Sequence, residues 1–153
     1  MNHIKSALLA GIAATFAIGV LSYADAWSGH GLWLMAPFGA TAVLVFGVPD
    51  SPLAQPKNVI IGHLITATIG LVFVHFVPVE PWSLACATGL AISAMLVTKT
   101  THPPAGANPL LIMLTGQSWS FLITPVLLGA VIIVLCGKLA KLCQNRTLAA
   151  SKA

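Results

Sequence analysis

Two stretches of this chain read alike. Pro37-Phe38-Gly39-Ala40-Thr41-Ala42-Val43-Leu44-Val45 returns as Pro104-Ala105-Gly106-Ala107-Asn108-Pro109-Leu110-Leu111-Ile112, an offset of 67 residues. The same offset runs on without a gap through Gly62 and Gly129, Ile65 and Ile132, and Gly70 and Gly137. The match covers most of each half and reads as a duplication. Two related apolar halves, each broken by a Pro-Gly element, are a common way for membrane transport proteins to build a site between repeats.

Composition sets the solvent. The chain is 58% hydrophobic and only 7% charged, with a mean hydropathy of +0.95, whereas soluble domains carry roughly a quarter charged residues. A bilayer is the expected environment, and no polar stretch in the 153 residues is long enough for a separate soluble core. The formal net charge of +4 does not argue for nucleic acid, because the lysines and arginines lie between apolar runs or near the C-terminal end. Lipid headgroups are the expected counter-charge. Cys86, Cys136 and Cys143 have neither zinc spacing nor a disulfide pattern, and no metal or cofactor is expected.

Six apolar stretches can be drawn: about Ser6–Ser22, Gly31–Val48, Val59–Val77, Trp82–Val97, Pro103–Thr115 and Ser120–Leu139. A straight span needs roughly 20 residues, within about 17–25. Four stretches are read as full spans, the fifth is too short, and the second is broken by Pro37 and Gly39. Proline is tolerated in the first turn of a helix, where its missing N–H would be unpaired. Short helices are therefore expected to start at Pro37 and Pro104.

Charge decides how the chain is threaded. If all six stretches cross, starting from the cytoplasm, Lys5, Lys57, Lys99, Lys138, Lys141, Arg146 and Lys152 all fall inside. Asp25 and Glu80 fall outside, near Trp27, Trp33, Trp82 and Trp119, and the positive-inside rule favours this arrangement. Three crossings per half then make the second half inverted relative to the first. The fold expected is all-α, a single transmembrane domain with repeat one at about 6–78, repeat two at about 82–141 and a short basic cytoplasmic tail over 142–153. The first segment also imitates a secretory signal, but the repeat needs it as the counterpart of Trp82–Val97, so it is read as a span.

A helix from Pro37 to Val48 rises roughly 18 Å, leaving an extended approach to cover the rest of a ~30 Å core. Two short helices entering from opposite sides would bring their N-termini together near the midplane. Such ends present unpaired N–H groups and partial positive charge, which suit a small anion. The expected site comprises Pro37, Phe38, Gly39, Ala40 and Thr41 from the first element. From the second come Lys99, His102, Pro103, Pro104, Ala105, Gly106, Ala107 and Asn108. Within it the amides of Gly39, Ala40, Gly106 and Ala107 would bind the anion, with Thr41, Asn108 and His102 assisting. Two roles stay open for His102, bonding the anion or pinning the broken backbone. His63, whose counterpart is Ala130, is expected to be a neutral, hydrogen-bonded histidine near a span end. Packing alone would also explain the Gly-Ala pairs. Asp25, Asp50 and Glu80 all lie in expected loops, so no acid, serine and histidine come together as an enzyme would need.

His102-Pro103-Pro104-Ala105-Gly106 resembles the signature of the HPP family of integral membrane proteins. Gly39-Ala40-Thr41-Ala42 and Ser51-Pro52-Leu53-Ala54-Gln55-Pro56 resemble two further elements of that family's pattern. Asn108-Pro109 departs from it, since small residues are expected there. The resemblance implies four transmembrane segments by the usual description and, because some members are assigned to nitrite transport, a nitrite-carrying function. The combined expectation is a bacterial inner-membrane transporter or channel for a small inorganic anion, nitrite first, with both termini cytoplasmic. A homo-oligomer in contact with membrane lipid is also expected. The alternative is a non-transporting membrane assembly or anchoring module.

Overall fold

A computed structural model describes the backbone of residues 3–28 and 33–150 and the side chains of 3–27 and 33–144. The start of the second stretch at Gly31, the side chain of Arg146, and Lys152 lie outside the described residues. The described chain is all-helical. Its long helices are α1 (His3–Ser28), α3 (Pro56–Phe76), α4 (Pro81–Val97) and α6 (Leu128–Ala150). Between them run two short ones, α2 (Pro37–Ala42) and α5 (Asn108–Thr115).

Local chemistry explains most of the boundaries. Pro37, Pro56 and Pro81 each open a helix, where the lost N–H costs nothing. Glu80 caps α4 through a reciprocal box with Ser83, whose hydroxyl accepts from the Glu80 amide at 2.9 Å. At the other end of α4, Lys99 N–H reaches Leu96 O and Thr100 N–H reaches Met95 O, with Lys99 left-handed at φ 53°. This is the Schellman stop usually given to glycine. Gly116, at φ 64°, ends α5 in the same left-handed conformation.

Length and hydropathy make three helices long and apolar enough to cross a membrane: His3–Trp27, Pro56–Phe76 and Leu122–Gln144. The expected fourth span, α4, has 17 residues and sits at the lower limit of a crossing helix. The last span is not one straight rod, because Pro125 lies inside it and Thr124 is extended at φ −130°, ψ 116°. Its helix runs on to Ala150.

Both short elements depart from the sequence reading. The first is α-helical only to Ala42 and then widens into π-type turns over Val43–Gly47. The second does not start as an α-helix at Pro104. A 3₁₀ turn spans Pro103–Ala107 and α5 begins at Asn108. Pro109 is the reason: inside a helix begun at Pro104 it would remove a hydrogen bond and clash with the preceding turn, whereas at the start of α5 neither matters.

Contacts fix which ends lie together. Trp33 N–H donates to Asp25 Oδ1 at 2.8 Å, and the His75 and Trp119 rings lie 5.4 Å apart. Lys141 pairs with Asp50 at 2.7 Å, and Asn58 Nδ2 donates to Thr101 O at 2.9 Å. The segment from Trp33 to Asp50 and the segment from Thr101 to Trp119 therefore each join opposite ends of the bundle.

The core is pinned by glycines on the two long helices that face the short ones. A Cβ on Gly70 would lie 2.9 Å from Pro109 Cα and 3.3 Å from Ile112 Cβ; one on Gly137 would collide with Val45 Cγ1. On the same helices, Gly62 lies against Thr100 and His102, and Gly129 against the Phe38 ring.

Candidate functional site

Where the two short elements meet, the fold buries a cluster of polar side chains. Thr41 from α2, His63 and Thr66 from α3, His102 from the extended approach and Asn108 from α5 have no solvent exposure. Burying this many polar groups is costly unless they bond one another. Thr41 Oγ1 lies 2.9 Å from His63 Nε2, 3.0 Å from His102 Nε2 and 3.1 Å from Pro37 O. The His63 and His102 rings meet edge to face at 5.0 Å, and Phe38 covers His63 at 5.4 Å.

The partners fix the direction of each bond. Leu53 O can only accept, so His102 Nδ1 carries the hydrogen at 2.8 Å and His102 Nε2 is left as an acceptor. Asn108 Nδ2 lies 3.1 Å from His63 O and 2.9 Å from Thr66 Oγ1, which identifies it as the donor. It also faces His63 Nδ1 at 3.0 Å; an amide nitrogen does not accept, so Nδ1 is the acceptor and shares one of the two Nδ2 hydrogens with His63 O. His63 Nε2–H then donates to Thr41 Oγ1, and the Thr41 hydroxyl donates to His102 Nε2. A single one-way chain runs from Asn108 through His63, Thr41 and His102 to Leu53. Asn108 Oδ1, buried beside it, has no hydrogen-bond partner among the described residues.

Gly62 permits this arrangement, since any side chain there would press on Thr100 O and His102 Cβ. Asn58 holds the same segment through Thr101 O. The extended conformation of His102, φ −136° and ψ 97°, follows from the proline after it.

Of the residues expected at the site, Thr41, His102 and Asn108 come together, with Pro37, Phe38, Pro104 and Ala105 buried around them. The expected amide cradle needs correction. Gly39 N–H is bonded to Ala36 O at 3.0 Å, because the chain already turns helically at Ala36. Gly39 and Ala40 are exposed, and Gly39 lines a groove of about 960 Å³ beside α1 instead. Ala107 and Pro103 are exposed, Gly106 is half-buried, and Lys99 is exposed at the end of α4. His63 is the central residue that the repeat obscured, because its counterpart is an alanine. The signal available in the sequence was an ionisable group eight residues into a membrane-spanning helix.

An apolar helical bundle with its polar groups gathered inside is an integral membrane protein. The transmembrane-region model of the HPP family matches residues 1–148, and the chain belongs to that family. A transmembrane protein of Dictyostelium discoideum is 38% identical over 135 residues, covering 83% of this chain and 47% of the relative. A second transmembrane protein of the same organism is 38% identical over 112 residues, covering 68% and 36%. The chain thus spans about half or less of the length of these relatives. No solved structure matches it.

Proposed function

We propose that this protein moves a small inorganic anion across the membrane, with nitrite the first candidate, through the buried cluster of Thr41, His63, His102 and Asn108. One observation carries the reading: the ionisable side chains within the cluster are two histidines, with no carboxylate beside them among the described residues. Any charge acquired there is positive, and in a low-dielectric interior that charge calls for an anion.

The inverted-repeat reading supports a site at this place. Gly70 meets Ile112 and Gly137 meets Val45, and both members of one pair differ from those of the other by the repeat offset. Each half supplies one short helix, both begin beside the cluster, and we place that meeting point near the bilayer midplane. The same reading puts the lysine-bearing end in the cytoplasm of a bacterial inner membrane.

A second reading, an assembly module, draws on the groove beside α1. Ala7, Ala10, Gly11 and Ala14 line it at helical spacing, as in surfaces where membrane helices pack closely. Self-association there is compatible with transport by each protomer.

The test is uptake of nitrite, nitrate, formate and chloride by proteoliposomes, measured against protein-free vesicles and a Gly106→Val variant. Gly106 lies in the turn between His102 and Asn108, and a Cβ there meets nothing within 4 Å, so the first carbon of the valine is accommodated. Selective flux that falls at least tenfold in Gly106→Val is expected. Folded protein that passes none of the four anions refutes transport and leaves the assembly reading.

A further inference from the structure

The Thr41 hydroxyl has one hydrogen and two acceptors to give it to, His102 Nε2 at 3.0 Å and Pro37 O at 3.1 Å. In the neutral chain, turning it to His102 leaves no ring nitrogen of the cluster without a partner. We propose that the cluster is a proton site coupled to the anion: His102 Nε2 takes up one proton, and Thr41 turns its hydroxyl hydrogen to Pro37 O. The proton comes from hydronium of the aqueous phase, which is left as water; the Nε2 lone pair forms the new N–H bond, and the new N–H donates to Thr41 Oγ1. That oxygen then accepts from both histidines and donates to Pro37, so every bond of the chain is kept. One hydroxyl rotation is the only rearrangement, and Leu53 O continues to hold His102 Nδ1–H.

The groups facing His102 leave the resulting charge unbalanced. They are Thr41 and Pro37 O from α2, His63 from α3, Leu53 O from the turn before α3, and the chain's own approach from Thr100. None is an acid, and Lys57 and Lys99, the cations of the flanking segments, are exposed. A buried imidazolium without a counter-charge is strongly disfavoured. A monovalent anion drawn in beside the cluster supplies the counter-charge, so proton and anion raise one another's affinity by the same factor. For unit charges about 5 Å apart in a medium of effective dielectric about 20, that factor is roughly a hundredfold. Transport of the pair is then one proton with one anion, carrying no net charge. The anion half of this inference rests on the proposed function; the proton half rests on the hydrogen-bond geometry alone.

Two measurements separate the halves. In proteoliposomes, after subtraction of protein-free vesicles, nitrite uptake should accelerate with an inward proton gradient and acidify the interior as recorded by a trapped pH dye. It should ignore a potassium-valinomycin potential. Thr41→Ser should retain the acidification and Thr41→Val should lose it. Nitrite flux that follows the potential and ignores the proton gradient overturns the coupling while leaving anion transport intact. In lipid nanodiscs, nitrogen-15 spectra of the histidines should show His102 protonated on Nδ1 alone at neutral pH. It should become doubly protonated on acidification, about two pH units more readily with saturating nitrite. A titration that nitrite does not move refutes the coupling, and a His102 that stays singly protonated until the helices unfold refutes the proton site, whether or not any anion is carried.

Discussion

Gly62→Ala is the sharpest test of how the cluster is held. Glycine within a helix is worse than alanine by about 1 kcal/mol, so on propensity alone the substitution stabilises. At Gly62 the new methyl would sit 2.9 Å from Thr100 O and 3.0 Å from His102 Cβ. Ordinary carbon contacts need about half an ångström more. Thr100 O is backbone and His102 is bonded at both ring nitrogens, so neither yields by changing rotamer. Overpacking of this kind costs about 1–3 kcal/mol. Gly89→Ala on exposed α4 is the control, because a Cβ there meets nothing within 4 Å and the full propensity gain is realised. The two variants should therefore differ by about 1–3 kcal/mol, with Gly62→Ala the less stable. Equilibrium unfolding in mixed micelles titrated with sodium dodecyl sulfate, followed by circular dichroism, measures that difference. Equal stabilisation by both substitutions would refute the close approach of the His102 segment to α3.

Two further substitutions probe the ends of α4. Glu80→Ala removes one half of the capping box with Ser83 and should cost about 1 kcal/mol in the same unfolding assay. Lys99→Gly relieves a left-handed backbone at φ 53°. It should stabilise by about 1 kcal/mol, and a destabilisation would mean that the Schellman stop is not formed.

Much of the architecture was legible because apolar run length and proline position are local signals. Pro37 marks a helix start without any tertiary information and does open a helix; Pro56 and Pro81 carry the same local signal just ahead of the stretches drawn from Val59 and Trp82. What failed to read through was anything decided by two prolines acting together or by contacts across the bundle. Pro104 viewed alone suggests a helix start; only the competing demand of Pro109 moves the α-helix to Asn108. Gly39 looked like a bare amide donor, yet the turn already made at Ala36 uses that amide. Asn108 departs from a family pattern, while its place is at the head of the buried chain of bonds, reaching His63 and Thr66. Repeat logic ranks residues by having a counterpart, so it discounted His63. The cluster uses the positions where the halves differ, His63 against Ala130 and Thr41 against Asn108, and hydrogen-bond direction needs that asymmetry.

The glycine contacts impose a mechanical condition on any movement. Gly70, on a long helix of the first half, receives Ile112 from the second; Gly137, on a long helix of the second half, receives Val45 from the first. The halves are therefore clasped crosswise, like two hands each gripping the other's wrist. Neither can swing away as a rigid body without pulling its own short helix out of the opposite notch. Motion that preserves both grips must slide or turn the two short helices together, and so must carry Thr41 and Asn108 in step.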